Sequence, residues 1–223
     1  MDKNFDQYLM SLIKRRRSVR IFTGEKIPRE KIFSIIEAGI WAPTGCNNQE
    51  LRFLILDEDS EINEFVKFKP FLRGVSAFLL VFCDMSLPMS KKMYLETKGE
   101  RHLPYVDAGL AVANMILYAK SNGIDSCVFN LSKYHFKYKK KRKNYIERFI
   151  DRLKLKLNLY TSIEGNLELY FKKAIKIPKD LKIICGVALG FGEKYPDVNT
   201  ETHGGKKIMR EKIDHYIIHK DGR

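Results

Sequence analysis

Arginine, serine and arginine stand at alternate positions in the run Arg15-Arg16-Arg17-Ser18-Val19-Arg20. In an extended segment, Arg16, Ser18 and Arg20 project to one side and offer two guanidinium forks and a hydroxyl to a single anion. A phosphate dianion suits that donor set. The residues before the run, from about Asn4 to Arg16, carry Phe5, Leu9, Leu12 and Ile13 at helical spacing, so the run leaves a helix C-terminus. The partial negative charge there repels phosphate, which is why side chains rather than backbone must hold it. The competing reading is a solvated basic run.

A second constellation, Ala42-Pro43-Thr44-Gly45-Cys46-Asn47-Asn48-Gln49, combines turn-forming residues with a cluster of amides. Amides supply donors and acceptors to a flat heterocycle without adding charge. Taken alone, the segment also reads as an ordinary polar turn between a helix and a strand.

These segments need elements to position them, and the chain alternates helical and strand patterns without an internal repeat. After the first helix and a loop to Ile27, Pro28 opens a second helix with Ile32, Ile35, Ile36 and Gly39 on one face, ending before Pro43. Arg52 to Leu56 and Ala77 to Cys83 read as buried strands, with a short helix near Glu61 to Phe68 between them. Tyr105 to Ser121 forms a longer helix, apolar on most sides, that stops at Asn122-Gly123. Ser126 to Leu131 and Lys182 to Leu189 are further strands. The tail after Gly192 reads as irregular, with a last short helix near Glu211.

The order of helix, RRSVR, second helix, the turn from Ala42 to Gln49 and a strand beginning Arg52-Phe53 resembles the nitroreductase family of FMN enzymes. The likeness is strong over Leu9 to Leu56 and weaker over Tyr105 to Leu131 and Lys182 to Arg210. It implies an α+β fold with a central mixed or antiparallel sheet flanked by helices, assembled as a homodimer. It also implies non-covalently bound FMN and hydride transfer from NADH or NADPH to a small acceptor such as a nitroaromatic or a quinone.

By position, the resemblance makes Arg16, Ser18 and Arg20 the ligands of the FMN phosphate, ribityl chain and pyrimidine edge. Pro43, Thr44 and Asn47 would reach the flavin of the partner subunit. The strand end at Asn130 and Leu131 would bring its backbone to flavin N5, and Lys206 and Lys207 stand where the family places a basic phosphate ligand. Glu50-Leu51 replaces the family's common Pro-Trp and Gly45-Cys46 a more usual pair, departures that bear on substrate preference. No catalytic acid or base is singled out, because the flavin carries the chemistry. Arg20 is the candidate for stabilising the anionic reduced ring.

Composition sets the remaining limits. A chain of 223 residues that is 44% hydrophobic can bury a full core and reads as one domain, with a basic helical insertion or lid at about 133–176. Its dispersed cysteines form no metal pattern, and with no signal-like or membrane-spanning stretch they point to a cytoplasmic protein. His215 and His219 lack a third ligand, and Gly190-Phe191-Gly192 runs to Pro196 rather than a helix, so neither a metal site nor a Rossmann turn is expected.

The net charge of +14 raises an alternative. Lys133, Lys137, Lys139 to Lys143, Arg148 and Arg152, interleaved with Tyr134, Phe136, Tyr138 and Tyr145, have the composition of a nucleic-acid surface. The 3–4 spacing of Ile146, Phe149, Ile150 and Leu153 instead favours an amphipathic helix, and no nucleic-acid or membrane partner is expected. Another flavin reaction on the same scaffold, such as reductive dehalogenation or heterocycle dehydrogenation, also stays open.

Overall fold

The computed structural model describes residues 3–67, 69–87, 103–131, 175–195, 202–203, 206–207 and 210. The basic stretch up to residue 174 and the helix expected near Glu211 lie outside these residues. Within them, α1 (Lys3–Arg15), β1 (Ile21–Phe22), α2 (Arg29–Ile40), β2 (Leu51–Leu56), α3 (Asp59–Val66), β3 (Ala77–Asp84), α4 (Leu103–Ser121), β4 (Asp125–Asn130) and β5 (Leu181–Gly190) follow in order. Short strands β6 (Gly192–Lys194), β7 (Thr202–His203) and β8 (Lys206–Lys207) come after them. The fold is α+β.

The central sheet is antiparallel and four-stranded, in the order β2-β3-β5-β4. The uninterrupted apolar run of β3 is what a strand buried on both faces requires. Its side chains divide by parity between two cores. Phe78, Leu80 and Phe82 pack with Val19, Phe22, Phe65, Phe129 and Leu131, while Ala77, Leu79 and Val81 pack with Ile32, Ile35, Val112 and Met115 of α2 and α4. The Phe78 ring lies 4.7 Å from that of Phe65 and 5.8 Å from that of Phe129. Emptying that position, by Phe78→Ala, costs about 3–5 kcal/mol. The structure corrects one expectation here: β2 is an edge strand, with Arg52 exposed and paired to Asp84, rather than a buried one.

Helix ends follow their local chemistry. Pro28 precedes the first helical residue of α2, and a Glu58/Glu61 capping box opens α3. After α4, Gly123 adopts φ +75°, and Asn122, Gly123 and Ile124 return backbone N–H groups to Ala119 and Lys120 carbonyls. That closure is a glycine C-cap. The tail is more regular than its sequence indicates, since β6 pairs with β1 and β7 pairs with β8. Gly192 belongs to this packing: a Cβ there would lie 2.8 Å from Asp125 Oδ2, so the glycine is a close approach and not part of a dinucleotide turn.

Several apolar faces are uncovered in the single chain. Phe5, Leu9, Met10 and Ile13 on α1 are exposed, as are Tyr105, Val106 and Leu110 on α4 and Ile40 and Trp41 at the end of α2. Among the described residues, no helix is long and apolar enough to cross a membrane.

Candidate functional site

The arginine run leaves α1 and becomes extended, as alternation requires. Arg17 turns back to donate to the carbonyls of Lys14 and Arg16, closing the helix end, and Val19 is fully buried. Backbone bonds hold the segment on both sides. Ser18 bridges Ser126 in parallel and Val19 N donates to Ser126 O at 3.0 Å, while Arg73 N donates to Arg20 O at 3.1 Å. Gly74, at φ +66°, lets the loop come this close, because a Cβ there would sit 2.0 Å from Phe22 O. Arg16, Ser18 and Arg20 are left half-buried along the open edge of β4.

Their electrostatics mark a place for an anion. Burial, then the guanidinium groups of Arg210 and Arg17, lower the Arg16 pKa, partly offset by Cys127. Burial raises the Cys127 thiol, and Arg20 and then Arg16 oppose that rise. Arg16 and Arg20 therefore both lie within electrostatic reach of Cys127 on β4, and Arg210 within reach of Arg16, an arrangement of like charges that suits an anion. Sequence reasoning missed Arg210. The sequence pointed to Lys206 and Lys207, which lie in β8, with side chains outside the described set. No local pattern marks Arg210, because only the fold brings it to Arg16.

The amide turn has a different construction. Gly45–Asn47 form a 3-10 turn, and Cys46, Asn47 and Gln49 adopt φ of 53°, 53° and 50°. Left-handed backbone at non-glycine residues costs about 1–2 kcal/mol each. Several bonds hold that strained shape. Gln49 N donates to Thr44 Oγ1 at 3.1 Å, Asn47 N to Thr44 O at 2.9 Å, and Gly45 N to Asp107 Oδ2 at 3.0 Å. Beneath the turn, the buried Glu50 accepts from Asn48 Nδ2 at 3.0 Å and hydrogen-bonds the buried Asp107. Burial, then Asp107, push the Glu50 carboxyl upward, partly offset by hydrogen bonds from its backbone and Asn48. Pro43 and Asn47 are exposed and Thr44 is half-buried.

Within one chain these two segments do not meet. The arginine run lies outside β4 and the amide turn leads into β2, with β5 and β3 between those strands. Four inter-strand steps separate them by roughly 19 Å. Asn130 ends β4, the strand that carries the arginine run on its open edge, and Leu131 follows it. Asn130 is exposed, Leu131 is buried in the core, and the Asn130 carbonyl accepts from Lys69 Nζ at 2.6 Å.

At the other end of β4, the buried Asp125 binds Lys120 at 2.7 Å, the Tyr195 hydroxyl, and Gly192 N at 3.2 Å. Its hydrogen bond and burial push the Tyr195 hydroxyl up to about 12. This network anchors the strand beside Ser126.

The nitroreductase family model matches residues 13–75, which hold the arginine run, the amide turn and the loop that clamps Arg20. Over these residues the chain is similar to the nitroreductase family. An iodotyrosine deiodinase of Thermotoga neapolitana is 28% identical over 44% of this chain and 73% of its own length. A protein of Archaeoglobus fulgidus, provisionally named NADH dehydrogenase/NAD(P)H nitroreductase, is 28% identical over 52% of this chain and 64% of its own. The chain thus spans less than two thirds of that second relative.

Among solved nitroreductase folds, an FMN-dependent nitroreductase of Clostridium difficile superposes with TM-score 0.61, at 15% identity over 94% of this chain and 97% of that one. A protein of Desulfovibrio desulfuricans, provisionally named a nitroreductase and crystallised in complex with FMN, gives 0.57 at 23% identity over 95% and 96%.

Proposed function

We propose that this protein is a cytoplasmic, single-domain oxidoreductase of the nitroreductase family that holds FMN in a homodimer and passes hydride equivalents from NADH or NADPH to a small acceptor. The observation that carries the cofactor is the approach of Arg16 and Arg20 to Cys127 on β4, with Arg210 within electrostatic reach of Arg16, a donor set suited to a phosphate ester. The FMN complex of the Desulfovibrio protein supports the same choice. Arg16, Ser18 and Arg210 would hold the phosphate and ribityl end, with Lys206 and Lys207 close by in sequence. Arg20 would face the pyrimidine edge, and the backbone at Asn130 and Leu131 the reactive end of the ring.

The dimer rests on two observations. The exposed apolar residues of α1, α4 and the α2 end form the kind of surface that a second copy covers. The amide turn, too far from the arginine run of its own chain, is free to serve the other one with Pro43, Thr44 and Asn47.

When bound, the flavin supplies the hydride acceptor and donor. The chain's own residues bind and orient. The guanidinium groups neutralise phosphate, Arg20 sets positive potential where the ring gains negative charge, and the amides of the turn hydrogen-bond without competing charge. The purified protein is expected to be yellow and to release FMN rather than FAD on denaturation. A colourless protein that takes up no added FMN would sink the proposal.

The Thermotoga relative's name favours a second reading, reductive dehalogenation at the same flavin. Release of iodide from an iodinated phenol by the reduced protein, without reduction of a nitroaromatic, would decide for it. The basic stretch at 133–176 is proposed as a lid or outer helix. Submicromolar DNA or RNA binding lost on changing Lys139 to Lys143 to Ser would overturn that.

A further inference from the structure

We infer that Asp125 is a positioning residue for Arg20: its buried carboxylate holds β6 against β1 and so fixes the backbone from which the Arg20 guanidinium leaves. The inference rests on the FMN reading, in which Arg20 faces the pyrimidine edge of the ring. Asp125 is 2% exposed, and donors from two sides answer its oxygens. Oδ1 accepts from Lys120 Nζ of α4 at 2.7 Å, while Oδ2 accepts from Gly192 N at 3.2 Å and from the Tyr195 hydroxyl. Gly192 opens β6 and Tyr195 follows its last residue. A carboxylate out of water needs such partners, and here one oxygen takes both of its partners from a single short segment. That segment is seated closely, since a Cβ on Gly192 would lie 2.8 Å from Asp125 Oδ2 and 2.9 Å from Tyr195 Cζ.

The place of β6 gives the carboxylate its role. One residue before Arg20, Val19 N donates to Ser126 O at 3.0 Å. One residue after it, Ile21 pairs with Lys194 and Phe22 with Gly192, and Thr23 N donates to Phe191 O at 2.9 Å. Arg20 therefore stands between two backbone anchors, and the consecutive residues Asp125 and Ser126 serve both of them. Ser126 does so through its own carbonyl, Asp125 through β6.

The second anchor needs the carboxylate. β1 has two residues and an irregular register against β6, a pairing too short to be stable by itself. The Arg20 guanidinium follows its backbone, because Nη1 donates to Ser18 O at 3.4 Å within the same run. A shift of β6 accordingly reaches β1, then Arg20, and then the charge that faces the ring.

The test uses the full-length protein and the variants Tyr195→Phe, Asp125→Asn and Lys120→Gln. Four quantities are read: hydrogen exchange of the Thr23 amide without flavin, the FMN dissociation constant, the midpoint potential of the bound flavin, and the thermal midpoint. Tyr195 is exposed on its other side, so Tyr195→Phe removes one donor from Asp125 in a protein that still folds. It should speed Thr23 exchange and weaken FMN by about three- to tenfold, a fraction of what a lost charge-assisted contact costs. The potential should fall, because a displaced cation stabilises the reduced ring less. Asp125→Asn should act in the same direction and more strongly. Lys120→Gln leaves both β6 donors in place and should lower the thermal midpoint alone. In an Arg20→Gln background, Tyr195→Phe should change the potential no further.

Wild-type exchange, affinity and potential in Tyr195→Phe and Asp125→Asn would overturn the inference. So would a loss in Lys120→Gln equal to that in Tyr195→Phe, which would make the network a general support, or a shift in potential that persists in full without Arg20. Failure of the wild-type protein to take up FMN would overturn the cofactor reading, and this inference with it; uptake of FMN alongside any of the other outcomes overturns this inference alone.

Discussion

Outside β4, the guanidinium groups of Arg16 and Arg20 lie beside a buried thiol, and the backbone is extended and bonded on both sides. Before β2, at the opposite edge of the same sheet, the binding groups are neutral amides, the backbone is left-handed at three non-glycine residues, and two buried acids lie beneath. On the FMN reading the first edge would recognise charge, which tolerates some looseness of position because Coulomb attraction falls slowly with distance. The second would recognise shape and hydrogen-bond direction, which tolerate far less. That difference accounts for where strain is stored. A cationic edge can be assembled from flexible arginines, whereas an amide edge must be bent and locked before its ligand arrives.

The largest effect should come from discharging the first edge. Arg16→Ala is expected to weaken FMN retention by roughly 10- to 150-fold, from loss of a charge-assisted contact worth about 1.5–3 kcal/mol. Arg210→Ala should fall in the same range, and equilibrium titration with FMN measures both. If Lys206→Ala or Lys207→Ala costs more than Arg210→Ala, the phosphate contact belongs to β8 and not to Arg210.

A mixing experiment sharpens the comparison. If each flavin draws its arginines from one chain and its amides from the other, then chains carrying Arg16→Ala and chains carrying Asn47→Ala form mixed dimers with one intact site. Flavin content and reduction rate should rise on mixing, toward about half the wild-type value in a fully mixed dimer. No gain despite exchange of subunits, followed by native mass spectrometry, would place both edges in one chain's site.

A smaller loss is expected from tightening the second edge. A Cβ on Gly45 would lie 2.1 Å from Leu103 Cδ2, so Gly45→Val must displace the Leu103 side chain or shift the turn against α4. Overpacking of this kind costs about 1–3 kcal/mol, read as a lower thermal midpoint, and should cost FMN affinity only in the partner's site.

Much of this was legible beforehand, for reasons that differ by residue. The helices and the strands β2 to β5 follow from periodicity, and the alternation in RRSVR survives because Val19 must enter the core while Arg17 closes α1. What stayed hidden depends on contacts distant in sequence. Arg210 meets Arg16 only through the fold, and Lys69 resembles any surface lysine until its loop is tied to Arg20. The acid pair was half visible. Glu50 stood out as a departure from Pro, but nothing near it in sequence announces Asp107.

That pair carries the last and smallest prediction, a pH dependence. The groups facing the Glu50 carboxyl are Asp107 from α4 and the Asn48 amide from the turn, and the Glu50–Asp107 hydrogen bond needs a proton between two carboxyl groups. Burial and Asp107 raise the Glu50 pKa in the folded chain above its ordinary 4.5. As pH rises from there toward the folded value, the folded chain keeps a proton that the unfolded chain has lost. Fewer protons bound in the unfolded state means that stability falls with pH across this window, and levels off once the folded group has also ionised. Glu50→Gln keeps a donor for Asp107 and removes the titration. Its thermal midpoint should match the wild type near the bottom of the window, exceed it at the top, and show a flatter slope between. If the two proteins lose stability in parallel as pH rises, the acids beneath the amide turn do not share a proton, and the turn is held by its backbone bonds alone.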